Sequence, residues 1–261
     1  MCIAYFVYCK LYVHKVFALY GGLYYNISMR LNKYLAMCGL GSRRKCEQFI
    51  SDNRVTINGQ HVFDLSTIVN ESDVVCVDGR IVKPCEKKIY LMLNKPVCYI
   101  TACSDDRGRK CVVDLVPSVY GKVFPVGRLD YNTSGLLLLT NDGDFANKII
   151  HPSNNIAKTY TVSVRIKPTN SQIKQLRSGI QYDGVDYLPA KVSSIRSVDD
   201  LYEFDITIIE GKNREIRNMC KAVNIKLIKL KRISIGNLTL KDLPSGKIRV
   251  LNENDLRLLE G

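Results

Sequence analysis

Histidine is scarce: His14, His61 and His151 are the three in a chain of 261 residues. A Ser-His-Asp triad or a His-rich metal centre therefore has little to draw on. No glycine-rich phosphate loop and no G-x-G-x-x-G after a strand is present, which leaves nucleotide cofactors without a cradle. The ten cysteines include no C-x-x-C pair and no histidine partner at zinc spacing, and read as reduced thiols of a cytoplasmic protein rather than as a disulfide framework. Acidic residues are short as well, 25 against 38 Lys and Arg, for a formal net charge of +13. A basic surface of this size favours a polyanion, because each neutralised phosphate releases counterions and steers association. Residues 1–28 hold six tyrosines and no Asp or Glu, but Lys10, His14 and Lys15 cut their apolar run below the roughly 18 residues a membrane span needs. A charged start with a small-residue cleavage site is also lacking. This stretch is read as an extension preceding a start at Met29, and no membrane partner is expected.

What is present is a globular composition, 46% apolar, long enough for one or two domains with a real core. From Arg30, Leu31, Tyr34 and Leu35 fall at helical spacing, with Gly39 as a C-terminal cap. Ser42 is the expected N-cap of a second helix that turns Cys46, Phe49 and Ile50 inward. Arg43, Arg44 and Lys45 sit in its first turn, where the helix dipole disfavours cations. Placed there, they point to a partner outside the fold, and with the helix amides they suit phosphate. Short strands follow around Val55–Ile57 and Val74–Val77, with hairpin turns at Asn58-Gly59 and Asp78-Gly79. Lys83 to Lys88 breaks both periodicities and is the expected linker, separating a domain over 29–88 from one over 89–261. Arg30-Leu-Asn-Lys-Tyr-Leu, Gly41-Ser-Arg-Arg and Arg54-Val-Thr-Ile-Asn-Gly resemble the alpha-L RNA-binding domain of ribosomal protein S4.

The second domain is organised around Pro125-Val-Gly-Arg-Leu-Asp-Tyr-Asn-Thr-Ser-Gly135 and the leucines 136–139 that follow. Four leucines bounded by turn residues predict a strand buried on both faces, which holds the polar residues before it at the mouth of a core. Asp130 is the carboxylate there. Gly127 and Gly135 permit a sharp bend or a close approach, and Arg128 can bind an anion or anchor the loop. Ile89–Leu93 is predicted as a strand ended by Asn94, Asp144–Ile150 as a short helix, Lys158–Val164 as an alternating strand, Thr169–Ser178 as a helix closed by Gly179, and Phe204–Ile209 as a strand. Arg107 and Arg109 lie in a polar basic loop offered as a second RNA contact. Arg214 and Arg217 are three apart, expected on one helical face with Lys221 beyond.

Gly127-Arg-Leu-Asp-Tyr-Asn-Thr-Ser-Gly, Lys158-Thr-Tyr and Glu210-Gly-Lys-Asn-Arg-Glu-Ile-Arg-Asn-Met, in that order, resemble the RsuA/RluB family of ribosomal RNA pseudouridine synthases, over about Arg30 to Leu259. The resemblance implies an α+β fold: a small alpha-L domain, then a mixed, mainly antiparallel sheet with flanking helices and a cleft crossing the sheet. It implies no cofactor and no metal. It makes Asp130 the catalytic carboxylate, leaving open whether it adds to the base, attacks the ribose anomeric carbon or removes a ribose proton. Each route needs the ionised form, which burial disfavours unless a cation compensates; Arg217 is the family's cation. Tyr160 corresponds to the tyrosine that stacks on the target uracil and assists removal of its C5 proton. Leu230 corresponds to the apolar residue beneath the base, and Arg128 and Arg214 are candidate substrate-binding cations. Asn218 stands where relatives often carry a basic residue and is not counted as an RNA contact. The expected partner is ribosomal RNA, with the 23S molecule favoured over the 16S on the Asn-Arg-Glu-Ile-Arg version of the late motif, and a monomer is expected. The rival readings are a non-catalytic assembly factor, opposed by intact Asp130, Tyr160 and Arg217, and a glycoside hydrolase. The latter needs a paired carboxylate that Asp142 and Asp144, read as turn and cap residues, do not supply.

Overall fold

The structure, a computed structural model, describes residues 28–85 and 87–259. The extension read over 1–28 lies, but for Ser28, outside them. Two compact units divide after Cys85.

In the first unit, α1 (Leu31–Met37) and α2 (Arg43–Ser51) pack on a four-stranded antiparallel sheet built from Val55–Ile57, Gln60–His61, Val75–Val77 and Arg80–Ile81. Leu31, Leu35, Cys46, Ile50 and Val55 are fully buried between them, while Phe49 is half-buried with the Arg54 guanidinium 4.6 Å above its ring. Both hairpins turn through left-handed residues, Asn58-Gly59 and Asp78-Gly79, the geometry that matches strand twist in two-residue loops. The Ser42 hydroxyl caps α2 by accepting the Lys45 N–H at 3.2 Å. Arg43, Arg44 and Lys45 stand exposed beside it.

The second unit is built on a ten-stranded sheet, beside which Ile180–Tyr182 and Val185–Tyr187 pair as a separate two-stranded hairpin. The strands of the large sheet are β1 (Tyr90–Lys95), β2 (Phe124–Val126), β3 (Ser134–Thr140), β4 (Lys158–Val164), β5 (Lys191–Val192), β6 (Arg196–Val198), β7 (Leu201–Ile208), β8 (Leu227–Ile235), β9 (Leu238–Thr239) and β10 (Ile248–Val250). Their order is β5-β7-β4-β8-β3-β1-β10, with β6 beside β7, β9 beside β8 and β2 beside β3. All pairs are antiparallel except β3–β8.

The leucine run alternates between two cores, as the period of a strand requires. Leu137 and Leu139 join Leu91, Val162, Phe204 and residues of α4 (Asn170–Ser178) and α5 (Glu215–Ala222) on one face. Leu136 and Leu138 join Met92, Ile235 and α3 (Gly143–Ile150) on the other. Asp142 caps α3 by accepting the N–H groups of Asp144 and Phe145. Thr169 caps α4 and Gly179 ends it.

Two expectations are corrected. β1 does not stop before Asn94 but runs through Lys95, because both polar side chains find partners: Asn94 Nδ2 donates to the Leu243 carbonyl at 2.7 Å, and Lys95 is described below. Arg214 is not on the α5 face. It precedes the helix in the left-handed region, at φ 51°, so only Arg217 and Lys221 lie on helical turns.

Candidate active site

The loop from Gly127 to Thr133 leaves β2 and returns as β3, with Asp130 near its middle. Each of its last five carbonyls has a donor. Thr101 Oγ1 donates to Leu129 O at 2.7 Å, and the Cys98 N–H to Tyr131 O at 2.9 Å. Arg217 Nη2 donates to Asn132 O at 2.8 Å. Lys95 Nζ serves both Asp130 O, at 3.1 Å, and Thr133 O, at 2.9 Å, and gives its third proton to Pro96 O at 3.0 Å. Lys95 is completely buried; burial pulls its pKa down to about 8, against the upward pull of the nearby Asp130 carboxylate. A loop tied at consecutive carbonyls presents its side chain in one place, so little reorganisation is left for the moment of reaction.

Arg217 reaches this loop from α5. Besides its bond to Asn132, Nη2 donates to Thr133 Oγ1 at 3.0 Å, while Nε faces Asp130 Oδ2 at 3.5 Å. Burial lowers the Arg217 pKa and Asp130 opposes that shift, yet a guanidinium stays charged across the working range. Arg214 Nη1 stands 3.7 Å from the same oxygen. These separations exceed a tight hydrogen bond and leave the carboxylate, 31% exposed, accessible to a ligand.

A cavity of about 700 Å³ opens beside Asp130. Tyr160 and Leu230, on adjacent strands β4 and β8, form its apolar wall with Ile208, and Arg128, Lys158 and Arg232 also line it. Burial, with Arg232 adding to it, lowers the pKa of Lys158. Glu215, buried at the head of α5, has its pKa pushed up by burial, although its Oε2 accepts the Lys212 N–H at 2.8 Å. Asp130, Tyr160 and Arg217 thus converge from a loop, a strand and a helix. Leu230, Arg128 and Arg214 line the same cavity. Among the described residues, no group of three or more His, Cys, Asp or Glu could hold a metal ion, and no helix is long and apolar enough to cross a membrane.

Sequence reasoning missed Lys95 and Arg232. Both were visible as charged residues inside otherwise strand-like segments, but Lys and Arg are almost never fully buried unless paired. Of the basic loop, Arg109 is committed to Asp105 through two side-chain bonds of 3.1 and 2.7 Å, which hold the Asp105 carboxyl well below the usual range. Arg107 is the other exposed arginine there. Asn218 has a structural partner: its Nδ2 donates to the Tyr187 hydroxyl at 2.9 Å.

The RNA pseudouridylate synthase family matches residues 89–222, and the S4 domain family residues 29–75. An RNA pseudouridine synthase of Aquifex aeolicus (strain VF5) is 40% identical over 235 residues, covering 89% of this chain and 94% of that protein. Ribosomal large subunit pseudouridine synthase B of Bacillus subtilis (strain 168) is 41% identical over 233 residues, covering 88% and 95%. The dual-specificity RNA pseudouridine synthase RluF of Salmonella typhi is 36% identical over 240 residues, covering 90% and 81%. A crystal structure of a pseudouridylate synthase superposes with a TM-score of 0.63 at 29% identity, covering 88% of this chain and 99% of that one. With its S4 domain, its mixed sheet and these relatives along nearly its whole length, the chain belongs to the RNA pseudouridine synthases of the RsuA family.

Proposed function

We propose that this enzyme isomerises a specific uridine of 23S ribosomal RNA to pseudouridine, acting as a cytoplasmic monomer with Asp130 as its catalytic carboxylate. The observation that carries the reading is the Asp130 loop, tied at five successive carbonyls and set beside Arg217 at the edge of a cavity walled by Tyr160 and Leu230. The reaction breaks the bond from N1 of the base to the ribose, turns the detached uracil and joins C5 to the same ribose carbon; C5 gives up its proton and N1 takes one up, so the product is an isomer of the uridine. An apolar wall suits a free base that must turn without escaping. Tyr160 stacks on it, Leu230 packs beneath it, and Arg217 sets a positive charge 3.5 Å from the Asp130 carboxylate.

The target nucleotide has to leave its stack to enter, which costs a few kcal/mol and is cheapest in an irregular or looped RNA. Arg128 and Arg214 at the cavity, Arg107 on its loop, and Arg43, Arg44 and Lys45 on the first unit supply the phosphate contacts that offset this cost. The large-subunit assignment is supported by the likeness to the Bacillus subtilis relative and by the late motif.

Pseudouridine mapping across both ribosomal RNAs, after incubation with wild type and with Asp130→Asn, tests the whole reading. One new 23S site, made by wild type alone, is expected. A site only in 16S RNA overturns the substrate assignment, a site made equally by Asp130→Asn overturns the catalytic role, and no site in either RNA with binding retained favours an assembly factor.

A further inference from the structure

β3 changes partner along one edge. Its first two residues pair with β8, as Lys231↔Ser134 and Arg232↔Gly135, and its last three with β2, from Val126↔Leu138 to Phe124↔Thr140. Leu136 and Leu137 face neither strand. Arg232 closes this seam from the side, its Nε donating to the Leu136 carbonyl at 2.7 Å. That bond fixes the guanidinium plane next to β4, where Tyr160 is the cross-strand partner of Arg232. Nη1 then donates to the Tyr160 hydroxyl at 3.4 Å.

Capping one carbonyl does not require a charge. A neutral donor would serve, and a buried cation is costly unless its field is used. Arg232 is only 4% exposed. Its Nη2 is buried with no hydrogen-bond partner among the described residues, and its charged neighbour Lys158 is a second cation. What the charge faces is Tyr160, its ring with the centroid 5.9 Å from the guanidinium carbon and its hydroxyl oxygen beside Nη1. Arginine donates and never accepts, so the Tyr160 oxygen is the acceptor of this bond and the hydroxyl's own proton points away from Arg232.

We infer that Arg232 is the positioning residue of Tyr160: it occupies the hydroxyl oxygen and thereby directs the Tyr160 O–H to an oxygen acceptor of the nucleotide in the cavity. The ring is held at the same time in the orientation needed for stacking. The inference rests on the reading of Tyr160 as an active-site residue.

The test is a double-mutant cycle in single-turnover rate and RNA affinity, with wild type, Tyr160→Phe, Arg232→Lys and the double variant, and Arg232→Gln for comparison. Arg232→Gln is expected to turn over about threefold to tenfold more slowly, the range of an ordinary hydrogen bond, with RNA Kd unchanged and Arg232→Lys recovering part of the loss. In the Tyr160→Phe background, Arg232→Lys should cost less than about twofold, because no hydroxyl remains to be held. Equal losses in both backgrounds would show that Arg232 only closes the seam, and overturn the inference. Full activity of Tyr160→Phe overturns instead the reading of Tyr160 itself. If neither Arg232 variant folds, the thermal midpoint of Tyr160→Phe decides: a fall of a few degrees is expected on losing the bond, and an unchanged midpoint overturns the contact.

Discussion

Lys95 shows how a single buried charge can tie activity to pH. Its ammonium has three protons and three carbonyls to serve, those of Pro96, Asp130 and Thr133. Above its pKa of about 8 the neutral amine retains two protons, and the Asp130 loop loses a tie. The single-turnover rate is therefore expected to fall above about pH 8, and Lys95→Met to be slow at every pH with that limb absent. Stability moves the other way. The folded pKa lies below the ordinary 10.5, so between the two values the unfolded chain holds a proton that the folded one has released, and this residue's contribution to stability rises with pH. Denaturant titrations run in parallel separate the two effects; a rate loss that follows unfolding would refute the loop explanation. At Arg217, replacement by Leu removes the cation 3.5 Å from Asp130 together with the bonds to Asn132 and Thr133. Turnover is expected to drop by about a hundredfold or more, the scale of one preorganised donor, with RNA affinity nearly unchanged. Undiminished turnover in Arg217→Leu would sever the proposed pairing.

Among the elements, β3 depends most on one residue. Gly135 has φ 107°, and a Cβ built there would lie 2.1 Å from the Arg232 carbonyl oxygen. The close approach permitted by this glycine is to a neighbouring strand. Gly135→Ala has to push β3 and β8 apart as well as strain the backbone, and is expected to cost roughly 3 kcal/mol or more. A thermal midpoint equal to wild type would contradict that. Elements whose signals are local were legible in the sequence: the buried leucine strand, the alternation of β4, the Ser42 cap and the Gly179 stop. Less legible was whatever depends on partners far along the chain. Nothing near Lys95 announces that Asp130 and Thr133 will accept its protons, so β1 reads as ending early. Arginine does not advertise a left-handed conformation, so Arg214 reads as helical. The parallel pairing of β3 with β8 joins segments with no local signature of register, although residues matched to the family still identified Asp130, Tyr160 and Arg217 as a group.

At the scale of the whole molecule, charge is the property most directly open to measurement. A net +13, with Arg43 and Arg44 exposed at a helix start, predicts that log Kd for ribosomal RNA varies linearly with log salt concentration. Replacing both arginines by Ala should flatten the slope by about one to two, while the rate from the bound complex stays the same. A slope that does not change would remove these residues from the RNA contact. The order of the large sheet has a different kind of consequence. β8 lies between β4, which bears Tyr160, and β3, which follows the Asp130 loop. The stretch matched to the synthase family ends at residue 222, before β8 begins at Leu227. A ribosome that has reached that point has already made Asp130, Tyr160 and Arg217, but not the strand that unites the two halves of their sheet. During its own synthesis the chain thus carries all three side chains before it has the strand whose Leu230, Arg232 and Ile235 complete the lining of their cavity.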